Sequence, residues 1–471
     1  MSLDPPAAQD IVIVGATGDL ARRKLLPALY NLHRRGLLPA RGAIIGYARG
    51  ELTDAEFRVM AHDAVKLFSR TRVTVKGWAA FARRLSYVSG TVEGLAGVKR
   101  RCTLPERLIY LSVPPSAFGA AIGALGEAGL VEGTRLIVEK PFGHDLASSR
   151  ELDSTIHEAF GEEQVFRIDH YLGKETVQNI LVFRFGNSVF ERVWNRDAID
   201  HVQFTVAEAI GIEGRGAFYE ETGALRDILQ NHVLQVLALL TMEPPPSFEP
   251  EAVRDEKHKL FQAMRLLTPG DIVRGQYTSG DMGGKRVAGY REEEGVSASS
   301  QTETFAALRL HIDNWRWSGV PFFLRTGKRL PLRRTEVIVV FRQAPVPFFA
   351  GTGVDSLDPN VLTITIQPEE SIEFKFLAKV PGPEIAVQQV EMDFSYDQAF
   401  QVQPAEAYER LLHDAMDGDH TLFARADSVE RAWEVVEPIL NALPPVHRYP
   451  AGSWGPPEAD AFIAPRTWGA L

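Results

Sequence analysis

Apolar and polar positions change rhythm near residue 200. Before that point, short apolar runs alternate with helical patterns, the order expected of a parallel α/β layer. Ile11–Val14 predicts a buried strand, and Ala21, Leu25, Ala28, Leu29 and Leu32 recur at helical spacing until Gly36 stops them. Ala43–Gly46, Leu108–Val113 and Leu136–Val138 predict further buried strands, with a helix around Ala117–Gly129, and Phe166–Ile168 closes the series. Longer alternating segments then take over: Val202–Ala209, Phe305–Asp313, Glu336–Arg342, Val361–Gln367, Ile372–Leu377 and Val390–Phe394. In Val361–Gln367, Leu362, Ile364 and Ile366 face one way and Thr363, Thr365 and Gln367 the other, as in a half-covered antiparallel sheet. A long helix, Ala224–Met242, precedes most of these strands, and helices at Ala405–Met416 and Ser428–Leu440 follow them. The Pro-rich stretch Glu243–Glu251 and the Gly-, Arg- and Glu-rich stretch Ser279–Ser300 are expected to be exposed loops. The fold class is therefore α/β plus α+β: a dinucleotide-type domain over residues 1–180, then an α+β domain with a large antiparallel sheet over 181–471.

Composition narrows the partners. At 471 residues the chain exceeds one hydrophobic core, and 45% hydrophobic with 24% charged residues is ordinary for a globular protein. No apolar run approaches the roughly 20 residues that span a bilayer, so no membrane partner is expected. The beginning, with Asp4, Pro5 and Pro6, has neither the basic nor the apolar region of a signal peptide, which together with one cysteine, Cys102, points to the cytoplasm. That single cysteine excludes an internal disulfide and a multi-cysteine metal site, and no metal is expected. A net charge of −10 argues against a nucleic-acid partner and means that any phosphorylated ligand is held by local basic clusters.

The candidate chemistry lies at strand ends. Strand Ile11–Val14 runs into Gly15-Ala16-Thr17-Gly18-Asp19-Leu20 and then a helix, a turn that offers backbone amides and a positive dipole end to a pyrophosphate. The spacing is G-x-x-G, and Gly15 and Gly18 fit a plain tight turn as well as a phosphate cradle. After the second strand comes Tyr47-Ala48-Arg49, where an NAD site usually places a carboxylate; Arg49 suits a 2′-phosphate and hence NADP. Strand Leu136–Val138 ends in Glu139-Lys140-Pro141, and Phe166–Ile168 ends in Asp169-His170-Tyr171-Leu172-Gly173-Lys174. The carboxyl ends of strands in open α/β sheets face the ligand crevice. His232 lies three, four and seven residues after Leu229, Ile228 and Leu225, on the apolar face of its helix. That placement alone fits a core histidine as readily as a base.

Arg167-Ile168-Asp169-His170-Tyr171-Leu172-Gly173-Lys174-Glu175 resembles the signature of the glucose-6-phosphate dehydrogenases. The resemblance extends, in order, through Gly15–Leu20, Glu139–Gly143, Gly211–Gly216, Arg226–His232, Thr326–Lys328 and the region Gly455–Asp460. It implies a Rossmann-like coenzyme domain, and oxidation of glucose 6-phosphate at C1 to the lactone with hydride transfer to NADP, NAD being a poorer alternative. That reaction opens the oxidative pentose phosphate pathway. The resemblance further implies that His232 is the general base and Asp169 the carboxylate that orients it. It assigns the substrate to His170, Tyr171, Lys174, Glu208, Asp227, Lys328, Arg333 and Gln367. It assigns the cofactor to Gly15, Ala16, Thr17, Gly18, Asp19, Leu20, Arg49 and Lys140. Thr17 stands where many members carry Ser, and no sign of the extra structural NADP site of some eukaryotic members is seen. A homodimer or homotetramer is implied, with the exposed face of the large sheet as the interface. Two alternatives stay open: an NAD- or dual-specific hexose-6-phosphate dehydrogenase, and a catalytically silent relative that binds and regulates.

Overall fold

The near-continuous apolar runs of the amino-terminal half form a sheet covered on both faces. In the computed structural model, which describes residues 4–346, 348, 349, 354, 357–400 and 405–469, the chain divides into two units. One comprises Met1–Glu175, Pro245–His258 and Ala405–Glu430; the other comprises Thr176–Pro244, Lys259–Pro404 and Arg431–Leu471.

The first unit holds β1 (Asp10–Val14), β2 (Ile44–Ala48), β3 (Leu85–Ser89), β4 (Arg107–Leu111), β5 (Thr134–Glu139) and β6 (Val165–Ile168). Their spatial order is β6-β5-β4-β1-β2-β3, all parallel, and the short strand Phe423–Ala424 lies antiparallel on β6. Each residue of β1 and β2 is buried, as a sheet packed on both faces requires. Strand order reverses between β1 and β4, so the loops leaving those two strands part and open a crevice. The helix that follows β1 ends where expected, with Gly36 at φ +73° and its amide bonded to the Leu32 and His33 carbonyls. The sequence pattern did not mark β3, an edge strand whose serines break the apolar run.

The second unit is built on a nine-stranded sheet. It contains β7 (Ile199–Ala207), β8 (Ile272–Thr278), the small hairpin of β9 (Gly280–Met282) and β10 (Lys285–Val287), and β11 (Phe305–Leu310). There follow β12 (Phe322–Gly327), β13 (Arg334–Phe341), β14 (Val361–Gln367), β15 (Ser371–Lys379) and β16 (Val387–Ser395). The order is β16-β15-β14-β13-β7-β12-β11-β8, with Val446–Pro450 beyond β8. The sheet is mainly antiparallel, as expected, but β7–β12 and β8 with Val446–Pro450 pair in parallel, so it is mixed. Each parallel pair is joined by a long crossover, which local alternation does not reveal.

Strand β12 escaped the pattern because Arg325 interrupts its apolar run. The arginine is buried, bonds Thr205 Oγ1 at 3.0 Å and lies 4.3 Å from the Trp468 ring. The stretch Ser279–Ser300 is largely exposed, as expected, but it carries the β9–β10 hairpin and is pinned at two points. Its Tyr290 is fully buried against Tyr219 and Tyr277, and Arg291 bonds the Ser300 carbonyl at 2.9 Å. The Pro-rich stretch Glu243–Glu251 is exposed as expected, and its last two residues open the helix Pro250–Ala263. The predicted helix Ala224–Met242 is present as Leu225–Val233, wound with wider i→i+5 turns, continuing into Leu234–Thr241.

Candidate active site

The turn after β1 is shaped by a contact that only glycine permits. Gly15 sits at φ +91°, and a Cβ there would lie 2.1 Å from the Ser112 carbonyl oxygen after β4. The Gly15 and Ala16 amides donate to the Tyr47 carbonyl at 2.7 and 3.1 Å, and the Gly18 amide to the Gly15 carbonyl at 2.9 Å. These amides therefore fold the turn. Arg22 is the residue that reaches back to the Gly18 carbonyl, at 3.1 Å, so the amides ahead of it open the helix and suit a phosphate.

Beside this turn lies a cleft of about 520 Å³, lined by Gly15, Thr17 and Gly18, by Tyr47 to Gly50, and by Ser112, Val113 and Ala117 among others. Arg49, exposed at the end of β2, is the charged side chain of its lining among the described residues. No carboxylate competes with it there for a ribose phosphate. Ala16 is buried, Asp19 is exposed with Arg23 at 3.7 Å, and these two with Leu20 stay outside the lining.

Strands β5 and β6 deliver the next group on the same edge of the same sheet. Glu139, which precedes Lys140, accepts hydrogen bonds from the Tyr110 hydroxyl and, at 3.1 Å, from the Tyr408 hydroxyl. Burial holds its carboxyl above the usual range, against the opposing pull of the two hydroxyls and Lys140. Asp169 is 3% exposed, and its Oδ1 accepts the Tyr171 amide at 3.0 Å. The Leu172 amide bonds the Asp169 carbonyl and the Lys174 amide the Tyr171 carbonyl, at 3.0 and 3.1 Å. This tight turn sets the Lys174 ammonium 4.1 Å from the Tyr171 ring centre, with the His170 ring 5.1 Å from that of Tyr171. His170, Tyr171 and Lys174 thus form one local group of the kind a phosphate requires.

In the second unit, parallel pairing of β7 with β12 sets Ala207 opposite Gly327 and so places the next residues, Glu208 and Lys328, side by side. The Lys328 ammonium donates to Glu208 Oε2 at 2.6 Å. Its main chain is fixed by a bond to the Thr304 carbonyl at 2.9 Å and by the Tyr449 hydroxyl at 2.7 Å. The ammonium also lies 5.1 Å from the Tyr219 ring, whose hydroxyl burial pushes well above its ordinary pKa, reinforced by the fields of Asp227 and Glu208. Glu208, Asp227, Tyr219 and Lys328 therefore share one neighbourhood.

His232 is 1% exposed on the helix Leu225–Val233. That helix is anchored at its start by Glu303, which accepts the Leu225 amide at 3.2 Å and is paired with Arg274 at 2.8 Å. Arg333 and Gln367 meet at 3.2 Å, and Gln367 donates to Thr335 Oγ1 at 2.8 Å, because Thr335 and Gln367 are in register between β13 and β14. Sequence patterns gave no sign of Tyr110, Tyr219 or Tyr408, each of which enters through a tertiary contact.

A parallel sheet of this order, with a glycine turn at its switch point, defines a dinucleotide-binding domain, joined in this chain to a large mixed sheet. Two family profiles match: "Glucose-6-phosphate dehydrogenase, NAD binding domain" over residues 12–179, and "Glucose-6-phosphate dehydrogenase, C-terminal domain" over residues 181–469. The chain belongs to the glucose-6-phosphate dehydrogenase family. It is 45% identical to glucose-6-phosphate 1-dehydrogenase 2 of Mycobacterium tuberculosis, covering 97% of this chain and 93% of that protein. The crystal structure of the Mycobacterium avium glucose-6-phosphate 1-dehydrogenase superposes with a TM-score of 0.88 at 39% identity, covering 99% of each chain. A glucose-6-phosphate dehydrogenase solved with its substrate glucose 6-phosphate superposes with a TM-score of 0.91 at 38% identity over 100% of both chains.

Proposed function

We infer that this chain oxidises glucose 6-phosphate at C1 to 6-phosphoglucono-1,5-lactone, with NADP as hydride acceptor. The carrying observation is the family match from residue 12 to residue 469 with the run Arg167–Glu175 intact. The cofactor, when bound, supplies the hydride acceptor. The chain's own residues hold both reactants and move one proton.

In this reading His232 takes the proton from the C1 hydroxyl, since imidazole ionises near neutrality. Asp169 fixes the working tautomer and stabilises the imidazolium, the base–orienter logic of hydrolytic triads without a nucleophile. Lys174, His170 and Tyr171 hold the phosphate, while Glu208, Asp227 and Lys328, with Arg333 and Gln367, hold the sugar. Lys328, already paired with Glu208, can donate to a hydroxyl and keep the carboxylate satisfied. Gly15 to Leu20 and Arg49 bind NADP, and Lys140 serves both reactants. Residues 1–180 provide the cofactor domain and 181–471 the substrate domain.

Substrate deuterated at C1 should give reduced cofactor carrying the label. Reduced cofactor without deuterium would rule out direct hydride transfer. Arg49→Ala should raise KM for NADP by about ten- to a hundred-fold and leave NAD nearly unchanged, because it removes a charge-assisted bond to the 2′-phosphate alone. Equal losses for both cofactors would show that Arg49 does not read that phosphate.

Among the described residues no helix is long and apolar enough to cross a membrane. The single cysteine fits a reducing compartment, and we place the enzyme in the cytoplasm. We further propose a homodimer or homotetramer that uses β15 and β16, where Val390 and Met392 are exposed on an otherwise ordered sheet.

A further inference from the structure

The helix Leu225–Val233, which carries Asp227 and His232, begins without a cap of its own. The first amides of a helix need acceptors from outside it, yet the preceding residue, Ala224, gives no side-chain bond. A residue distant in sequence takes that part. Glu303, buried just ahead of β11, accepts the Leu225 amide on Oε1 at 3.2 Å and the Ala224 amide on its carbonyl at 3.0 Å. A negative charge at this end of a helix is favourable. The chain makes room for it at Gly223, where φ is +64° and a Cβ would lie 2.4 Å from Glu303 Oε1.

The carboxylate is held by its other oxygen. Arg274 on β8, also buried, donates to Glu303 Oε2 through Nε at 3.1 Å and Nη2 at 2.8 Å. The guanidinium is itself fixed by the Pro444 and Gln301 carbonyls, at 2.8 and 2.7 Å. The next residue, Thr304, serves a different part of the site. Its carbonyl accepts the Lys328 amide at 2.9 Å, and its hydroxyl accepts the Tyr277 amide at 3.0 Å. Two consecutive carbonyls therefore hold the start of the His232 helix and the main chain of Lys328.

We propose that Glu303, locked by Arg274, is a positioning residue for the oxidation: its carboxylate sets the helix of Asp227 and His232 against Lys328. It rests on the reading of His232 as the base and of Asp227 and Lys328 as sugar ligands. Neither Glu303 nor Arg274 belongs to the motifs that define the site. A protein whose base is slightly displaced still folds, but it moves the proton from a poorer geometry, so the loss falls on turnover. The residues read as holding NADP, Gly15 to Leu20, Arg49 and Lys140, belong to the other unit, so KM for NADP should not change.

The test uses two double variants of the full chain. In Arg274→Met/Glu303→Gln the guanidinium is gone and the amide oxygen is free to accept from Leu225. In Arg274→Met/Glu303→Met the position is equally uncharged, but nothing accepts that amide. Both remove the whole buried ion pair, which costs far less than leaving one partner alone. The readout is kcat for glucose 6-phosphate per folded molecule, taken well below Tm, where a loss of stability alone does not register. It should stay near the parent value in the Gln variant and fall about ten- to a hundred-fold in the Met variant. Equal kcat in the two folded variants overturns the proposal.

A second readout does not depend on activity. Hydrogen exchange at the Leu225 amide reports whether the helix start is anchored, and its protection should survive in the Gln variant and be lost in the Met variant. Lost protection with an unchanged kcat would show an anchor that positions nothing, and overturns the proposal. If neither double variant folds, Glu303→Asp decides. Its shorter side chain keeps the charge beside Arg274 but draws it back from Leu225, so kcat should fall; a parent kcat overturns the proposal. If protection and kcat both follow the acceptor while His232→Asn stays active, Glu303 keeps its role toward Asp227 and Lys328, and the assignment of the base fails.

Discussion

Replacing His232 by Asn lowers kcat for glucose 6-phosphate by about 10²- to 10⁴-fold while KM stays near its original value. Asparagine keeps a polar group in the buried position but accepts no proton near neutral pH. Hydride cannot leave C1 with its bonding pair unless the hydroxyl proton also departs, so loss of the acceptor falls on the chemical step. Binding survives because the proposed sugar and phosphate contacts come from other residues. The helix survives because Glu303 anchors its start through the Leu225 amide, remote from the imidazole. Steady-state kinetics and a melting curve on the same preparation separate the two roles open to a buried histidine. Parallel loss of affinity, turnover and Tm would make His232 a packing residue. An intact fold with only kcat reduced makes it the base.

Lys174→Ala raises KM for glucose 6-phosphate by about ten- to a hundred-fold, the value of one charge-assisted bond to a dianion. The same variant leaves kcat/KM for unphosphorylated glucose nearly unchanged, because the lost interaction belongs to the phosphate. The tight turn Asp169–Lys174 is closed by main-chain bonds that the substitution does not touch, so His170 and Tyr171 keep their places. Comparing the two sugars on one variant is therefore a direct reading of the group that Lys174 contacts. Equal loss for both would take the phosphate away from it.

Much of this was legible before any coordinates. The parallel strands other than β3 were visible because both faces are buried, which leaves runs such as Ile11–Val14 without polar breaks. Val361–Gln367 was located to the residue because it alternates across a half-covered face. Strand β12 was hidden by Arg325, whose charge is offset by Trp468 and Thr205 only after folding. The helix Asp54–Phe68 carried a readable signal, the capping box of Thr53 and Glu56, which periodicity alone passed over.

The site divides in the same way. Lys140 and Asp169 to Lys174 stand out because each follows a predicted strand end. Glu208 and Lys328 become neighbours only through the parallel register of β7 and β12. Tyr408 reaches Glu139 across 269 positions of sequence, and no local pattern carries such information.

The most direct measurement is the near-ultraviolet absorbance of reduced nicotinamide when purified protein meets glucose 6-phosphate with either NADP or NAD. Rapid reduction of NADP and slow reduction of NAD is the predicted result, and it tests the reaction and the role of Arg49 together. Comparable rates would keep the dehydrogenase and remove the cofactor preference. No reduction of either cofactor by folded protein would contradict the reaction itself and leave a relative that binds without catalysing.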